Sequence, residues 1–289
     1  MTVPADAGGP VKAKPRAAAS ARSRAKTAAL PRSRNAPAPA YVLHRYDWSE
    51  TSLILDIFSR EQGRITVAAK GAKRPYSQLR PVLLPFQRLL VAASRPSRDE
   101  TADVLTLRSA EWAGGGPMLS GAALFSGFYL NELLMKLLAR HDPHPVLFDA
   151  YAASMPALAA ADDTLTQAAL RAFEIVLLRE IGLLPQLDRL TGNGAALAAD
   201  AAYQLRPELG LIAQAQGEAP LAGRQLLALQ QALDAGEMGR LQRLCADNLP
   251  ALKTTLRGLL HYHLGSPRLR TRDVMIDAQQ LMDRPSPRG

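Results

Sequence analysis

The sequence contains a single cysteine, Cys245, among its 289 residues. One thiol excludes a disulfide framework and any zinc site built from several cysteines, and it favours a reducing, cytosolic location. No apolar run approaches the roughly 18–20 residues of a membrane-spanning helix, so we do not expect an integral membrane protein. The N-terminal residues also lack the apolar core of a secretory signal peptide.

Acidic residues are scarce near the N-terminus: residues 1–40 contain eight Lys and Arg but one acid, Asp6. This segment carries +7 of the formal net charge of +9, so the rest of the chain is nearly neutral at +2. It also lacks large apolar side chains, and nothing offsets an ordering entropy of about 1–2 kcal/mol per residue. We therefore expect a disordered basic tail with non-specific affinity for phosphates. The alternative is an organelle transit peptide, which is also rich in Arg and Ser.

Familiar catalytic motifs are absent, including GxSxG, HExxH, GxxxxGK[ST] and a GxGxxG after a strand. The glycine run at residues 114–116 ends in Pro117, which is typical of a linker. Cys245 lies among leucines at helical spacing, which indicates a buried structural thiol. His261 and His263 are two residues apart on a predicted helix and face different sides, so they do not share a metal. We predict no enzymatic activity and no cofactor.

Five short runs with β-strand character follow one another at spacings of about ten residues, separated by turn-forming sequences. They are residues 41–46, 51–58, 63–70, 82–92 and 102–110. Such spacing is typical of a small antiparallel barrel, and five strands within about 70 residues fit an OB-type barrel. We assign residues 41–112 to this domain.

The pattern beyond the glycine run is helical. The predicted helices are residues 119–140, 145–160, 164–182, 223–233, 238–247, 250–264 and 272–282. The pattern is irregular over residues 186–222, where we predict a hairpin at 202–214. The predicted fold class is α+β multidomain: a five-stranded OB-type barrel followed by an all-α domain (residues 118–282) with a small hairpin-containing insertion. Residues 283–289 are predicted to be a disordered C-terminus.

A cluster of basic residues marks the predicted barrel, because residues 60–80 contain six basic groups and one acid. The alternation of a strand places Ile65 and Val67 towards the core, and Arg64 and Lys70 on the outer face. Cations that follow a backbone, together with an aromatic ring that stacks on bases, suit the binding of single-stranded nucleic acid. The alternative is a solvated loop with ordinary solubilising charge. The candidate contact residues are Arg64, Lys70, Lys73, Arg74, Tyr76 and Arg80.

A second basic patch lies near the C-terminus, in a window without any acid. It comprises Lys253, Arg257, Arg268, Arg270 and Arg272. Lys253 and Arg257 are four residues apart and share one helix face. The patch either contacts phosphates or stabilises the negative end of the preceding helix dipole.

The predicted helix at residues 119–140 is apolar on most of its faces. It is therefore either a central core helix or one wall of a groove for a partner.

Several segments, in the same order along the chain, resemble the bacterial RecO family of DNA repair proteins. They are residues 41–53 (YVLHRYDWSETSL), 63–74 (GRITVAAKGAKR), 127–134 (GFYLNELL), 203–210, 223–229 and 264–272 (LGSPRLRTR). The resemblance extends over about residues 41–282 and implies an OB barrel followed by a helical domain. It also implies a bacterial cytoplasmic, nucleoid-associated protein that binds single- and double-stranded DNA and anneals complementary strands.

The same resemblance implies two protein partners. RecR and single-strand-binding protein would work with this chain to load recombinase onto coated DNA. The acidic, apolar-ended tail of single-strand-binding protein would dock in the helical domain. The candidate groove residues are Phe125, Phe128, Tyr129, Lys136 and Arg140.

The sequence departs from the family pattern in its middle section. Many members carry four zinc-binding cysteines there, whereas residues 187–223 contain no cysteine and no histidine. We therefore predict no zinc and a hairpin held by packing. Two other functions remain open from the sequence: a protein–protein adaptor built on the OB barrel, and an RNA-binding OB protein.

Overall fold

The computed structural model describes residues 36–94, 103–114, 116–213, 220–265, 269–271 and 274. Most of the predicted basic tail, the whole predicted C-terminus at 283–289 and nearly all of the predicted last helix lie outside the described residues. The end of the predicted tail is structured, because the first strand begins at Ala38, three residues earlier than expected.

Five strands form a closed barrel in the order β1-β2-β3-β5-β4, which confirms the predicted architecture. Their bounds are β1 (Ala38–Asp47), β2 (Leu53–Ser59), β3 (Gly63–Ala69), β4 (Leu89–Ser94) and β5 (Val104–Trp112). All neighbouring strands are antiparallel except β3 and β5. The barrel closes where Ala40 of β1 pairs with Leu89 of β4.

One predicted strand is only half correct. The run at residues 82–92 forms a strand only from Leu89 onwards, and a short helix, α1 (Leu79–Val82), precedes it. Pro81 lies in α1, and Pro85 lies in the part of the run that is not a strand. A proline has no N–H to donate to a ladder, so this part of the chain cannot join the sheet as a regular strand.

The helical domain contains six helices among the described residues. They are α2 (Ala122–Leu137), α3 (Pro145–Ala159), α4 (Asp163–Glu180), α5 (Gly223–Ala235), α6 (Met238–Ala246) and α7 (Leu249–Leu264). Its central helix is α4, in which residues 168–178 are all buried. The carboxylate of Asp162 accepts the Leu165 N–H at 2.9 Å and caps this helix.

The predicted hairpin forms and gains a third strand. Strands β6 (Ala202–Arg206), β7 (Gly210–Ala213) and β8 (Leu221–Ala222) pair in the order β7-β6-β8. Thr191 fastens the hairpin to the preceding loop, because its hydroxyl accepts the Leu211 N–H at 2.8 Å and its own N–H donates to the Leu211 carbonyl at 3.0 Å. No group of three metal-ligating side chains occurs in the part of the chain that the structure describes.

The barrel interior has an apolar core of its own, and a few apolar side chains on the outside of the barrel pack into the core of the helical domain. Tyr41 and Phe58 of the barrel lie with ring centroids 5.3 and 5.5 Å from that of Phe148 in α3. Asn131 of α2 is buried at this junction, where it donates to the Leu43 carbonyl at 2.9 Å. The junction therefore fixes α2 against β1. No described helix is both long enough and apolar enough to span a bilayer.

Candidate nucleic-acid interface

Two loops meet at one end of the barrel, because the strand register aligns the residues that flank them. Asp47 at the end of β1 pairs with Leu53 at the start of β2, and Leu53 pairs with Ala69 at the end of β3. The β1–β2 loop and the loop that follows β3 are therefore neighbours. We call this end of the molecule, formed by residues 45–53 and 70–80, the basic end of the barrel.

Hydrogen bonds join the two loops into one unit. The backbone N–H of Lys73 donates to the Thr51 carbonyl at 2.9 Å, and its ammonium donates to the Ser49 carbonyl at 3.1 Å. The N–H of Gly71 donates to the Ser52 hydroxyl at 3.3 Å. Gly71 has a φ of +73°, a backbone conformation that side-chain-bearing residues rarely adopt. The start of the loop after β3, at residues 71–73, is thus held against the β1–β2 loop.

Most of the predicted contact residues lie on this basic end and face solvent. Lys70, Arg74 and Arg80 are exposed, and 94% of Tyr76 is exposed. None of the three cations forms an ion pair within the described part of the chain. Their charges are therefore available to an anionic ligand.

Lys73 is different, because it already has an anionic neighbour. Its ammonium lies 3.2 Å from the carboxylate of Asp47 and is only half-exposed. The ion pair crosses from the end of β1 to the loop after β3. Lys73 therefore ties the loops together, and a phosphate must compete with Asp47 for its charge.

The expectation that Arg64 faces solvent is wrong. Its guanidinium lies 3.3 Å from Asp56, and the two side chains are 14% and 3% exposed. It also donates to the backbone carbonyls of Met135 and Leu138 at the C-terminal end of α2. Helix C-termini attract cations, so the side chain is drawn into the junction between the domains. The chain after α2 covers this side of β3, which the alternation of a single strand cannot indicate.

Two residues of the basic end, Arg45 and Trp48, are not among those predicted from the sequence. Arg45 is exposed and lines a shallow pocket with Lys73 and Arg80. A bulge interrupts the register of β1 between Val42 and His44, and residues 44–47 beyond it are all exposed. Trp48 is 57% exposed in the β1–β2 loop. A tryptophan next to a predicted turn was the available signal.

A second candidate site is a groove of about 210 Å³ between α2, α4, α7 and residues 269–271. It brings together residues from two separate predicted sites, the partner groove and the second basic patch. Phe125 and Tyr129 of α2 form an apolar wall, and Lys253 and Arg257 of α7 line the same groove. The structure thus combines an apolar surface with two exposed cations.

Other members of those two groups lie elsewhere. Phe128 packs against Phe86 of the barrel with ring centroids 5.0 Å apart. Lys136 forms an ion pair with Glu132 at 3.3 Å. The backbone of Arg140 forms an isolated parallel β-bridge with that of Arg64, at the junction with the barrel. None of the three lines this groove. Arg268 and Arg272 lie outside the described residues, and Arg270 is exposed beside the groove.

The floor of the groove contains a buried ion pair. Arg171 lines the groove and lies 2.5 Å from Glu174, which is fully buried. Burial raises the pKa of Glu174, against the opposing effect of Arg171 and of the Tyr129 hydroxyl, which donates to it at 2.6 Å. The Nε of Arg171 is buried and has no hydrogen-bond partner among the described residues. The ion pair is neutral overall, and it leaves one N–H donor of Arg171 unused.

Glu132 fixes one wall of the groove. Its carboxylate accepts the backbone N–H groups of Arg270 and Thr271, both at 3.0 Å, and the Thr271 hydroxyl at 2.7 Å. Burial acts to raise the pKa of Glu132, but these hydrogen bonds and the one from Lys136 outweigh burial and lower it. The charged carboxylate thus holds residues 269–271 against α2, where Leu269 and Thr271 line the groove.

Comparison with known proteins agrees with this two-domain arrangement. Residues 34–113 match the family described as recombination protein O N terminal, and residues 118–273 match recombination protein O C terminal. The chain belongs to the RecO family. Proteins named DNA repair protein RecO from a Polaromonas species and from Verminephrobacter eiseniae are 54% and 53% identical to it. The alignments cover 84% and 86% of this chain, and 96% and 98% of those relatives.

The similarity to RecO proteins covers the barrel and the helical domain together. A third relative, DNA repair protein RecO from Variovorax paradoxus, is 51% identical over 252 residues. Both candidate sites lie within the matched segments. Membership of the RecO family supports a role in DNA repair.

Proposed function

We propose that this RecO-family protein is a non-enzymatic mediator of DNA repair. It binds single- and double-stranded DNA without sequence specificity, anneals complementary strands and helps to load recombinase onto DNA coated by single-strand-binding protein. RecR acts with it in the bacterial cytoplasm, at the nucleoid. The observation that carries the proposal is the basic end of the barrel, where the exposed cations Lys70, Arg74 and Arg80 lie on the same segment of chain as the exposed ring of Tyr76.

The chemistry of this end suits a DNA backbone. Guanidinium and ammonium groups bind phosphates by charge and release the counterions that the phosphates held. Each phosphate contact contributes about −0.7 to the slope of log K against log salt on single strands. An aromatic ring stacks on any base, so binding does not depend on sequence.

The groove of the helical domain suits a second ligand. The tail of single-strand-binding protein is acidic and ends in apolar residues. Phe125, Tyr129 and Leu260 offer an apolar surface, while Lys253 and Arg257 offer positive charge beside it. In our proposal the tail docks here, and the barrel remains free to bind the DNA strand.

Strand annealing on DNA coated by single-strand-binding protein tests the proposal. The full chain should anneal complementary coated strands, and a variant with Lys70, Arg74 and Arg80 replaced by Ala should anneal them at least tenfold more slowly. A matched control replaces three exposed arginines of the helical domain, Arg206, Arg224 and Arg243, by Ala and should anneal normally. Equal annealing rates for the two triple variants would refute the assignment of the DNA site to the barrel.

The two other functions and the basic tail have their own readouts. RNA that competes as well as single-stranded DNA would favour an RNA-binding protein, and a chain without annealing activity would favour an adaptor. A variant without residues 1–35 tests the tail, because it leaves β1 intact from Ala38 onwards. Its DNA affinity should fall more at low salt than at high salt, since the tail acts through charge.

A further inference from the structure

Two large aromatic side chains project from the basic end of the barrel. Tyr76 is 94% exposed and Trp48 is 57% exposed. Trp48 lies in the β1–β2 loop and Tyr76 in the loop after β3, and these loops are joined through Lys73 and Gly71. Neither ring packs against another aromatic ring within the described residues.

The backbone around Trp48 is held in a tight turn. The N–H groups of Trp48 and Ser49 both donate to the Ser52 carbonyl, at 3.3 and 3.4 Å. Asp47, on the other side of Trp48, is tied to Lys73 by the ion pair. The indole ring is therefore presented on an ordered loop, which lowers the entropy lost when a ligand binds it.

The surroundings of the two rings decide which ligand fits them. Arg45, Lys70, Arg74 and Arg80 are exposed on the same loops and strand ends. A purely apolar partner would leave these four charges unmatched. A single nucleic-acid strand satisfies both features, because its phosphates pair with the cations and its unpaired bases stack on the rings.

We propose that Trp48 is a base-stacking residue, and that Trp48 and Tyr76 each hold an unstacked base of one DNA strand. The inference rests on the proposed function and extends it. A duplex keeps its bases stacked on each other, so it contacts the cations but gains nothing from the rings. The two rings therefore make the basic end favour single strands over duplexes.

Tryptophan fluorescence tests the inference directly, because the chain contains only two tryptophans. The second, Trp112, ends β5 and is 60% exposed, so it is a matched control. The full chain with Trp112→Phe reports on Trp48 alone, and the chain with Trp48→Phe reports on Trp112 alone. On titration with oligo(dT), the emission of Trp48 should be quenched, while that of Trp112 should change little.

Affinity gives the second readout. Trp48→Ala should weaken binding of oligo(dT) by about 5- to 100-fold, the range expected for one lost stacking contact, and binding of a duplex less than twofold. Trp48→Phe keeps a ring and should restore most of the affinity for the single strand. Trp112→Ala should leave both affinities unchanged.

Failure of the inference can be told apart from failure of the proposed function. If Trp48→Ala leaves oligo(dT) binding unchanged, and the triple variant of Lys70, Arg74 and Arg80 weakens it, then Trp48 is not a stacking residue but the DNA site stands. If neither variant weakens the binding of oligo(dT), both the stacking role of Trp48 and the DNA site on the barrel are refuted. Equal losses on single strand and duplex would also refute the stacking role. The stacking role would also be refuted if Trp48→Ala lowered the affinity for oligo(dT) and Trp48→Phe lowered it as much.

Discussion

The guanidinium of Arg64 lies 3.3 Å from the carboxylate of Asp56, inside the junction between β3 and the end of α2. Asp56 also accepts the hydroxyl of Thr66 at 2.8 Å, so the buried carboxylate is bonded on both oxygens. Arg64 is one of six basic residues between positions 60 and 80, and its sequence context resembles that of the others. Its position in the junction indicates that Arg64 stabilises the folded protein.

Replacing Arg64 by Ala should destabilise the protein and leave DNA binding by the folded molecules unchanged. The change leaves the buried carboxylate of Asp56 without its cation, which costs about 3 kcal/mol. Urea denaturation followed by circular dichroism measures the loss. Arg74→Ala is the control. It should change the free energy of unfolding by less than about 0.5 kcal/mol, and it should weaken DNA binding. A stable Arg64→Ala protein with a reduced salt slope would contradict this assignment.

Replacing Asp47 by Asn should strengthen DNA binding. The carboxylate of Asp47 competes with phosphates for Lys73 and adds negative charge to the basic end. An exposed ion pair contributes about 0.2–1 kcal/mol, so the affinity should rise by up to about fivefold at low salt. Fluorescence anisotropy with a labelled oligonucleotide measures the change. Asp200→Asn frees Arg224 from a similar exposed pair in the helical domain and should have no effect. Weaker binding by the Asp47 variant would show that the ion pair mainly orders the loops.

Replacing Lys253 and Arg257 together by Ala should separate the two sites. The variant should bind an acidic peptide with apolar terminal residues roughly three- to tenfold more weakly, since it loses two exposed charges beside the groove. Its affinity for naked single-stranded DNA should be unchanged. Isothermal titration calorimetry with the tail peptide of single-strand-binding protein provides the measurement, and Arg206→Ala with Arg243→Ala is the control pair. A loss of DNA affinity alone would assign these two cations to DNA instead.

Replacing Glu132 by Gln should loosen residues 269–271. The lowered pKa of Glu132 means that its charged form is stabilised in the folded protein. Its contribution is therefore complete above the pKa of the unfolded chain, about 4.3, and disappears as the pH falls through the lower folded-state pKa. At neutral pH the amides of Arg270 and Thr271 should exchange about tenfold faster in the variant.

Hydrogen exchange measured by NMR checks this effect of Glu132 residue by residue. The wild-type protein should lose protection of these two amides on acidification, whereas the variant should show little pH dependence beyond the intrinsic exchange rate. Glu180→Gln is a suitable control, because Glu180 ends α4 and makes no hydrogen bond to residues 269–271 among the described contacts. Unchanged protection in the Glu132 variant would mean that packing of Leu269 holds the segment.

Local patterns were sufficient to predict most of the fold. Alternation and turn spacing located the five strands, because a strand with one face in a barrel core has a period of two. The start of β1 was missed because Ala38 and Ala40 carry little β-strand signal, and their partners Val91 and Leu89 lie far along the chain. For the helix at residues 119–140, the sequence left two options, a central core helix or one wall of a groove. The first is wrong. The central helix is α4, in which the interior pair Arg171 and Glu174 interrupts the apolar pattern.

The sequence by itself determined where the charge lies along the chain and which residues form the exposed loop after β3. Local composition and turn chemistry are enough for that. Only the tertiary structure decided which cations are available. Arg60 pairs with Asp149, 89 residues away along the chain, and the carbonyls at the end of α2 enclose Arg64. The groove likewise exists only because α2, α4 and α7 pack side by side and bring Phe125 next to Arg257. Long-range packing therefore separated the structural cations from those free to bind DNA.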